Sequence, residues 1–305
     1  MTASPQSHPQ TDNTAEAKTY PAPLNVAALS LDIAEADPAE NLRRAKAMLD
    51  LLPQGVEVAV LPELFTTAFM SDSERMLSMA EYRTGPTVKA IRKWATEKQM
   101  LISGSFLGKE AIAGGAHEFF NRGFIATPDG EIKFYDKHHL FCLSDEARIL
   151  THGRMRPPLV EFKGWHISMI ICYELRFPVW SRNVDMQTEL LLIPANWPQA
   201  RGYAWDTLIR ARAIENQQAV IGADRSGKDE YGTYDGLSMI VDELGRPIAP
   251  PLSHPLVGCP PPTAPGSVIE SPYGPILTAT LSFDKLMRWR RWLPTDRDAD
   301  RFTLH

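Results

Sequence analysis

The sequence predicts an α/β layered domain built on a mixed β-sheet. Two observations carry that prediction. Short apolar runs of strand length alternate with segments of helical spacing from Leu24 onward, and a hairpin interrupts the alternation in mid-chain. Strands joined through helices pair in parallel, whereas a hairpin imposes antiparallel pairing, so the sheet must hold both.

Residues 1 to about 22 are rich in Ser, Thr, Pro, Gln and Ala and read as a disordered tail, because they offer little apolar surface to offset the entropy of ordering. Leu24 to Leu31 is strand-like, and Pro38 to Leu52 is helical, with Leu42, Ala45, Leu49 and Leu52 recurring on one face. Val56 to Leu61 is a short buried strand. Gly85-Pro86 opens a helix to about Lys98, Pro being tolerated in a first turn whose amides are unpaired anyway, and a strand follows from Met100 to Phe106. Asn121 to Ala126 and Glu131 to Tyr135 flank the turn Pro128-Asp129-Gly130, where Gly supplies the positive φ of a hairpin.

Further on come a strand over 165–172, a helix over about 178–187 begun by Pro178, and a strand over 190–195. A helix over about 202–217 and strands over 218–223 and 236–242 follow, closed by the turn Glu243-Leu244-Gly245. The segment 247–265 carries too many prolines for a central strand and is expected to be a surface loop. Residues 276–283 resume as a strand, and 285–305, with Trp289 and Trp292, read as a C-terminal arm with exposed aromatics. The main folded domain would then span 23–284, without internal repeats.

With 305 residues, 44% of them hydrophobic, the chain can bury one large core. A net charge of -5 argues against a phosphate-backbone partner, since nucleic-acid binders concentrate basic charge on one face, and leaves small molecules as the expected ligands. No apolar run approaches the roughly 18 residues needed to cross a bilayer. The N-terminus lacks the basic-then-apolar order of a secretion signal, so a cytoplasmic protein without a membrane partner is expected. Cys142, Cys172 and Cys259 stand far apart in no metal-ligand spacing, which predicts free thiols, no metal and no other cofactor.

Three residues stand where a predicted strand gives way to a loop. Cys172 ends the apolar run Trp165 to Ile171, and polarity returns at once in Tyr173-Glu174-Leu175-Arg176. A cysteine in an apolar strand is as a rule a packed small hydrophobe. At a strand-to-helix elbow, however, nearby backbone amides would lower its pKa and offer an oxyanion donor. Glu63, in Leu61-Pro62-Glu63-Leu64-Phe65, is either a core salt-bridge residue or a poorly solvated carboxylate suited to taking and returning a proton. Lys137, in Tyr135-Asp136-Lys137-His138-His139-Leu140-Phe141, is either a solvated hairpin end or an ammonium delivered to the same place, with Asp136 as a local partner. A thiol, a carboxylate and an ammonium brought together can supply nucleophile, proton shuttle and oxyanion partner for acyl transfer. His138 or His139 offers a Cys–His alternative, and Glu146 is a second candidate carboxylate.

These three segments, in this order, resemble the three signatures of the nitrilase, or carbon-nitrogen hydrolase, superfamily over about residues 24–305. Within it the chain is similar to the omega-amidase branch through Arg176-Phe177-Pro178-Val179-Trp180-Ser181-Arg182-Asn183, Ala195-Asn196-Trp197-Pro198, Ala211-Arg212-Ala213-Ile214-Glu215-Asn216-Gln217 and Asp296-Arg297-Asp298-Ala299-Asp300-Arg301-Phe302.

The resemblance implies a four-layer αββα sandwich with mixed β-sheets, paired into a homodimer. It also implies hydrolysis of the terminal amide of a 2-oxo acid monoamide such as 2-oxoglutaramate. Cys172 would be the nucleophile, Glu63 the base, and Lys137 with the Tyr173 backbone N–H the oxyanion partners, with Glu146 assisting water. Arg176, Asn196, Trp197 and Arg201, near predicted strand ends, would contact substrate. A related amidase acting on deaminated glutathione or an N-carbamoyl compound shares the same three groups, and a non-catalytic binding protein on the same fold is a further alternative. Two departures stand out: Asp224-Arg225 replaces an expected Asn-Arg, and the 247–265 loop is longer than usual.

Overall fold

The computed structural model describes residues 20–249 and 266–304. Among these the strands are β1 (Leu24–Leu29), β2 (Val58–Val60), β3 (Leu101–Ala111), β4 (His117–Ala126), β5 (Ile132–Asp136), β6 (Leu159–Phe162), β7 (Trp165–Met169), β8 (Leu190–Ala195), β9 (Ala219–Asp224), β10 (Ser226–Asp229), β11 (Gly232–Asp235), β12 (Met239–Val241), β13 (Ser267–Ile269) and β14 (Ile276–Leu281). The helices are α1 (Pro38–Asp50), α2 (Ser73–Ser78), α3 (Pro86–Lys98), α4 (Glu146–Ile149), α5 (Gly202–Asn216) and α6 (Phe283–Trp292). Two mixed sheets form, ordered β13-β14-β1-β2-β3-β4-β5 and β12-β9-β8-β7-β6, with β10 and β11 as a separate hairpin.

Side-chain alternation explains the layering. Val26 and Ala28 of β1 and Val58 and Val60 of β2 pack in one cluster with Ile167 and Met169 of β7 and Leu192 of β8, so the two sheets face one another. The intervening residues, Ala27, Leu29 and Ala59, meet Ala45, Met48 and Leu49 of α1 and Val88, Ile91 and Trp94 of α3 on the other face. Strands buried on both faces read as unbroken apolar runs, which is why β1, β2 and β8 were visible in the sequence. Helix α5 covers the far side of the second sheet: a Cβ at Gly222 of β9 would lie 2.5 Å from Ile209 Cδ1. The four layers α, β, β, α follow. The helix starts are local chemistry, since the Asp37 side chain accepts the Glu40 N–H ahead of Pro38 in α1, and Pro86 opens α3.

Several expectations change. The expected single core is divided into two main clusters on either side of the seven-stranded sheet, with a smaller one around Leu64, Met76 and Leu140. The helix expected over 178–187 does not form: Asn183 spends its side chain on Thr188 N–H and C=O, competing with a helical ladder, and Asp185 and Met186 have positive φ. β7 ends at Met169, short of the strand to 172. The predicted arm over 285–305 begins inside α6, whose Arg290 is buried and bonded to Gln217 O.

Of the predicted tail, residues 1–19 lie outside the described residues. Tyr20 and Ala22 are ordered, Tyr20 packing on Phe283 and Ala22 C=O accepting from Trp165 Nε1. Of the proline-rich segment, 250–265, with Cys259, lies outside them too. Ile248 is not surface loop, since it is buried and donates to Ile240 O.

Candidate active site

Four strand ends meet at one edge of the sandwich. β2 and β3 are parallel, β4 runs against β3 and β5 against β4, so β5 points the same way as β2. In the facing sheet β7, β8 and β9 are parallel. Glu63 follows β2, Lys137 follows β5, Cys172 follows β7 and Asn196 follows β8, and all four line one cavity of about 200 Å³. Ligand sites outside the carboxyl ends of strands are the rule for α/β sheets. Side chains remote in sequence are thereby brought to one place.

Lys137 is the hub. Its Nζ lies 2.7 Å from Glu63 Oε1 and 3.0 Å from both oxygens of Glu146, which opens α4. All three residues are buried, at 2%, 4% and 3% exposure. Burial alone would strip the proton from Lys137, but Glu146 and Glu63 more than compensate and raise its pKa beyond the ordinary lysine range. The bland reading of a solvated hairpin end is thus overturned, as is Asp136 as its partner: Asp136 pairs with Arg122 at 2.6 Å.

Asn121 of β4 completes the cluster, a residue the sequence reading passed over. Its Nδ2 donates to Glu63 Oε1 at 2.8 Å and to Glu146 Oε1 at 3.0 Å. The Ser105 hydroxyl accepts from Leu64 N–H and donates to Asn121 Oδ1, which turns the amide's NH₂ toward the carboxylates. A polar residue interrupting the apolar run Phe119 to Ala126 was the available signal. The second Glu63 oxygen accepts from Asn196 N–H at 3.0 Å, and Glu146 Oε2 from Phe141 N–H at 2.6 Å.

Cys172 starts a short 3₁₀ turn, Cys172–Arg176, with φ +45°, a left-handed conformation costly for a side chain with a Cβ. The elbow is present, but it begins at the cysteine rather than at Pro178. Glu174, read in the sequence only as an acid two positions beyond the cysteine, holds it. Fully buried, it accepts from Ile171 N–H at 2.8 Å with one oxygen and from Tyr135 OH at 2.5 Å and His138 N–H at 2.9 Å with the other. That single carboxylate ties the cysteine turn to the lysine strand. Tyr173 is the second residue of the turn, where a 3₁₀ helix leaves the amide without an internal partner.

The Cys172 sulfur lies 3.9 Å from Asn196 O. Its pKa is not lowered, as the elbow alone suggested, but pushed well up by burial, with the charge and hydrogen bond of Glu63 acting the same way and Lys137 opposing them. The pull of one ammonium already shared by two carboxylates is too weak to keep a thiolate at rest. Passing the proton from Cys172 to Glu63 keeps the charge of the cluster constant, whereas losing it to water does not.

Arg176 stacks over Trp197 at 4.9 Å and Arg201 over Phe141 at 5.3 Å, and both line the cavity. Neither guanidinium forms an ion pair or hydrogen bond among the described residues. Trp197 is fixed by Nε1 to Arg201 O at 2.9 Å. The aromatic rings of Phe69, Tyr231 and Tyr234 also line the cavity and were not foreseen. His138 and His139 do not line the cavity. Their rings stack on Trp180 and Phe177, which removes the Cys–His alternative.

Comparison with known proteins agrees with this fold. The carbon-nitrogen hydrolase family model matches residues 25–254. Omega-amidase YafV of Yersinia enterocolitica is 38% identical over 88% of this chain and 93% of its own length. The 2-oxoglutaramate amidase of Bacillus subtilis is 32% identical over 73% of this chain and 85% of its own. The solved structure of a carbon-nitrogen hydrolase superfamily protein from Xanthomonas campestris, with an arsenic adduct in its active site, superposes with a TM-score of 0.79 at 34% identity, covering 93% of this chain and all of that one. The chain belongs to the carbon-nitrogen hydrolase family.

Proposed function

We propose that this chain is an amidase that hydrolyses the terminal amide of a small 2-oxo acid monoamide, of the 2-oxoglutaramate kind, to the acid and ammonia through a thioester on Cys172. The observation that carries this reading is the buried Glu63–Lys137–Glu146 cluster opening with Cys172 onto one small cavity. Relatives named omega-amidase and 2-oxoglutaramate amidase support the substrate.

In this mechanism Glu63 takes the Cys172 proton and the sulfur bonds to the amide carbon. The developing oxyanion receives N–H bonds from Lys137 Nζ and the Tyr173 backbone. The ammonium's N–H bonds reach Glu63 Oε1 and both Glu146 oxygens, so one of the two longer Glu146 contacts gives way as the oxyanion forms. The C–N bond then breaks, with the proton on Glu63 going to the departing ammonia. Glu63 next deprotonates a water that Glu146 helps to orient, the hydroxide attacks the thioester, and the sulfur leaves and regains its proton. The two guanidiniums, Arg176 and Arg201, take the far carboxylate, beside Asn196 and Trp197.

Two further parts belong to the same reading. A catalytic thiol must stay reduced, which suits the cytoplasm. Exposed apolar side chains at Val179, Val184 and Ile214 suit burial against a second copy in a homodimer. Ammonia release from 2-oxoglutaramate, glutamine, a simple aliphatic nitrile, an N-carbamoyl amino acid and deaminated glutathione, with Cys172→Ala as blank, tests the substrate. Highest kcat/KM is expected for 2-oxoglutaramate, and preference for any of the others overturns it.

A further inference from the structure

We propose that Asp224 is a positioning residue of this site and works as a neutral carboxylic acid, holding the Asn196–Trp197 backbone against Glu63 and Cys172. The inference uses the amidase reading only for its activity readouts.

Asp224 ends β9, paired in register with Ala195 at the end of β8, and is fully buried. Its Oδ1 accepts from Trp197 N–H at 2.6 Å, and its Oδ2 has no hydrogen-bond partner. Its own amide donates to Ser238 Oγ at 3.0 Å, which anchors the residue from the segment just before β12. The segment it grips matters because Asn196 touches both reacting groups, donating its N–H to Glu63 Oε2 at 3.0 Å and turning its carbonyl to the Cys172 sulfur at 3.9 Å.

The charged and titratable groups facing Asp224 are Glu63 from the turn after β2, Arg225 beside it and Tyr234 from β11. Arg225 is committed elsewhere. It bonds Asp229 at 2.6 Å and Ile33 O at 3.1 Å, and stacks on Tyr234 at 4.5 Å. No cation among the described residues therefore pairs with the Asp224 carboxyl, while Glu63 stands nearby with like charge. Burial foremost, aided by Glu63, pushes the carboxyl well above the usual range against the pull of the Trp197 N–H, Arg225 and the Leu237 N–H. Ionisation at alkaline pH would set a second negative charge beside Glu63 and shift the backbone that aligns it, so turnover should fall as that proton is lost.

Asp224→Asn keeps a neutral acceptor, and Asp224→Ala removes it. Infrared difference spectra at pH 7 should show a protonated-carboxyl carbonyl band in the wild type that is missing from Asp224→Asn. Asp224→Asn should keep kcat within about threefold, with its alkaline fall moved to higher pH, while Asp224→Ala loses about 10- to 100-fold in kcat with little change in KM. The proposal is overturned by a spectrum without that band difference, by an unchanged alkaline limb in Asp224→Asn, or by Asp224→Asn as impaired as Asp224→Ala. If Asp224→Ala does not fold, the asparagine variant decides alone. The infrared band judges Asp224 even if no amide proves to be a substrate.

Discussion

Replacing Lys137 with methionine keeps most of the length of the side chain and deletes its charge. The ammonium is held at 2.7 Å by Glu63 and at 3.0 Å by Glu146, with both carboxylate side chains at most 6% exposed. Deleting one partner of a buried ion pair costs about 3–5 kcal/mol, a large share of the roughly 5–15 kcal/mol that stabilises a domain. In the wild type the folded pKa of Lys137 is raised, so its stabilisation is complete below the unfolded value of about 10.4 and is lost only as pH climbs through the folded one. In Lys137→Met two buried carboxylates face each other with only Asn121 between them, and one takes up a proton. The folded state then binds more protons than the unfolded, so the deficit should widen as pH rises from about 5 to 8. Denaturant unfolding across that range measures it, and ammonia release should fall at least about 100-fold. A deficit below about 1 kcal/mol, as for an exposed pair, or one independent of pH, would refute the clamp.

Glu63→Gln should fold normally yet lose about 100- to 10,000-fold in kcat, the span of general acid–base catalysis, read by ammonia release; a smaller loss would mean that another group moves the proton. Arg176→Met and Arg201→Met should each raise KM for 2-oxoglutaramate by about 10-fold or more, a charge-assisted bond's worth, while a neutral amide of the same length is little affected. Equal effects on both substrates would remove the guanidiniums from carboxylate recognition. The folded Cys172 thiol holds its proton above the unfolded value of about 8.5, so its contribution to stability is complete below that pH and is lost as pH rises. Cys172→Ala should flatten the alkaline slope of stability, and an unchanged slope would show that the thiol is not so strongly shifted.

The sandwich was legible because its central strands are buried on both faces and its main helices carry their own start signals, as at Asp37-Pro38 and Gly85-Pro86. The convergence of Glu63, Lys137 and Cys172 was legible because each stands where a predicted strand gives way to a loop. What failed was decided by contacts distant in sequence. The Cys172 shift is set by burial first and by Glu63 next, the elbow is tied down by Glu174, and Asn121 matters only because β4 faces both carboxylates. The stretch 178–187 has helix-compatible composition, but Asn183 diverts its backbone. Short pieces such as α4 and the β10–β11 hairpin, which bring Glu146, Tyr231 and Tyr234 to the cavity, carry too few residues for a periodic signal.

The most direct test of the central claim is the mass of the enzyme quenched in acid during turnover of 2-oxoglutaramate. The account predicts an acyl adduct mapping to the Cys172 peptide, labile to hydroxylamine and absent from Cys172→Ser. Turnover that leaves Cys172 unmodified at every quench time, together with activity surviving in Cys172→Ala, would contradict it.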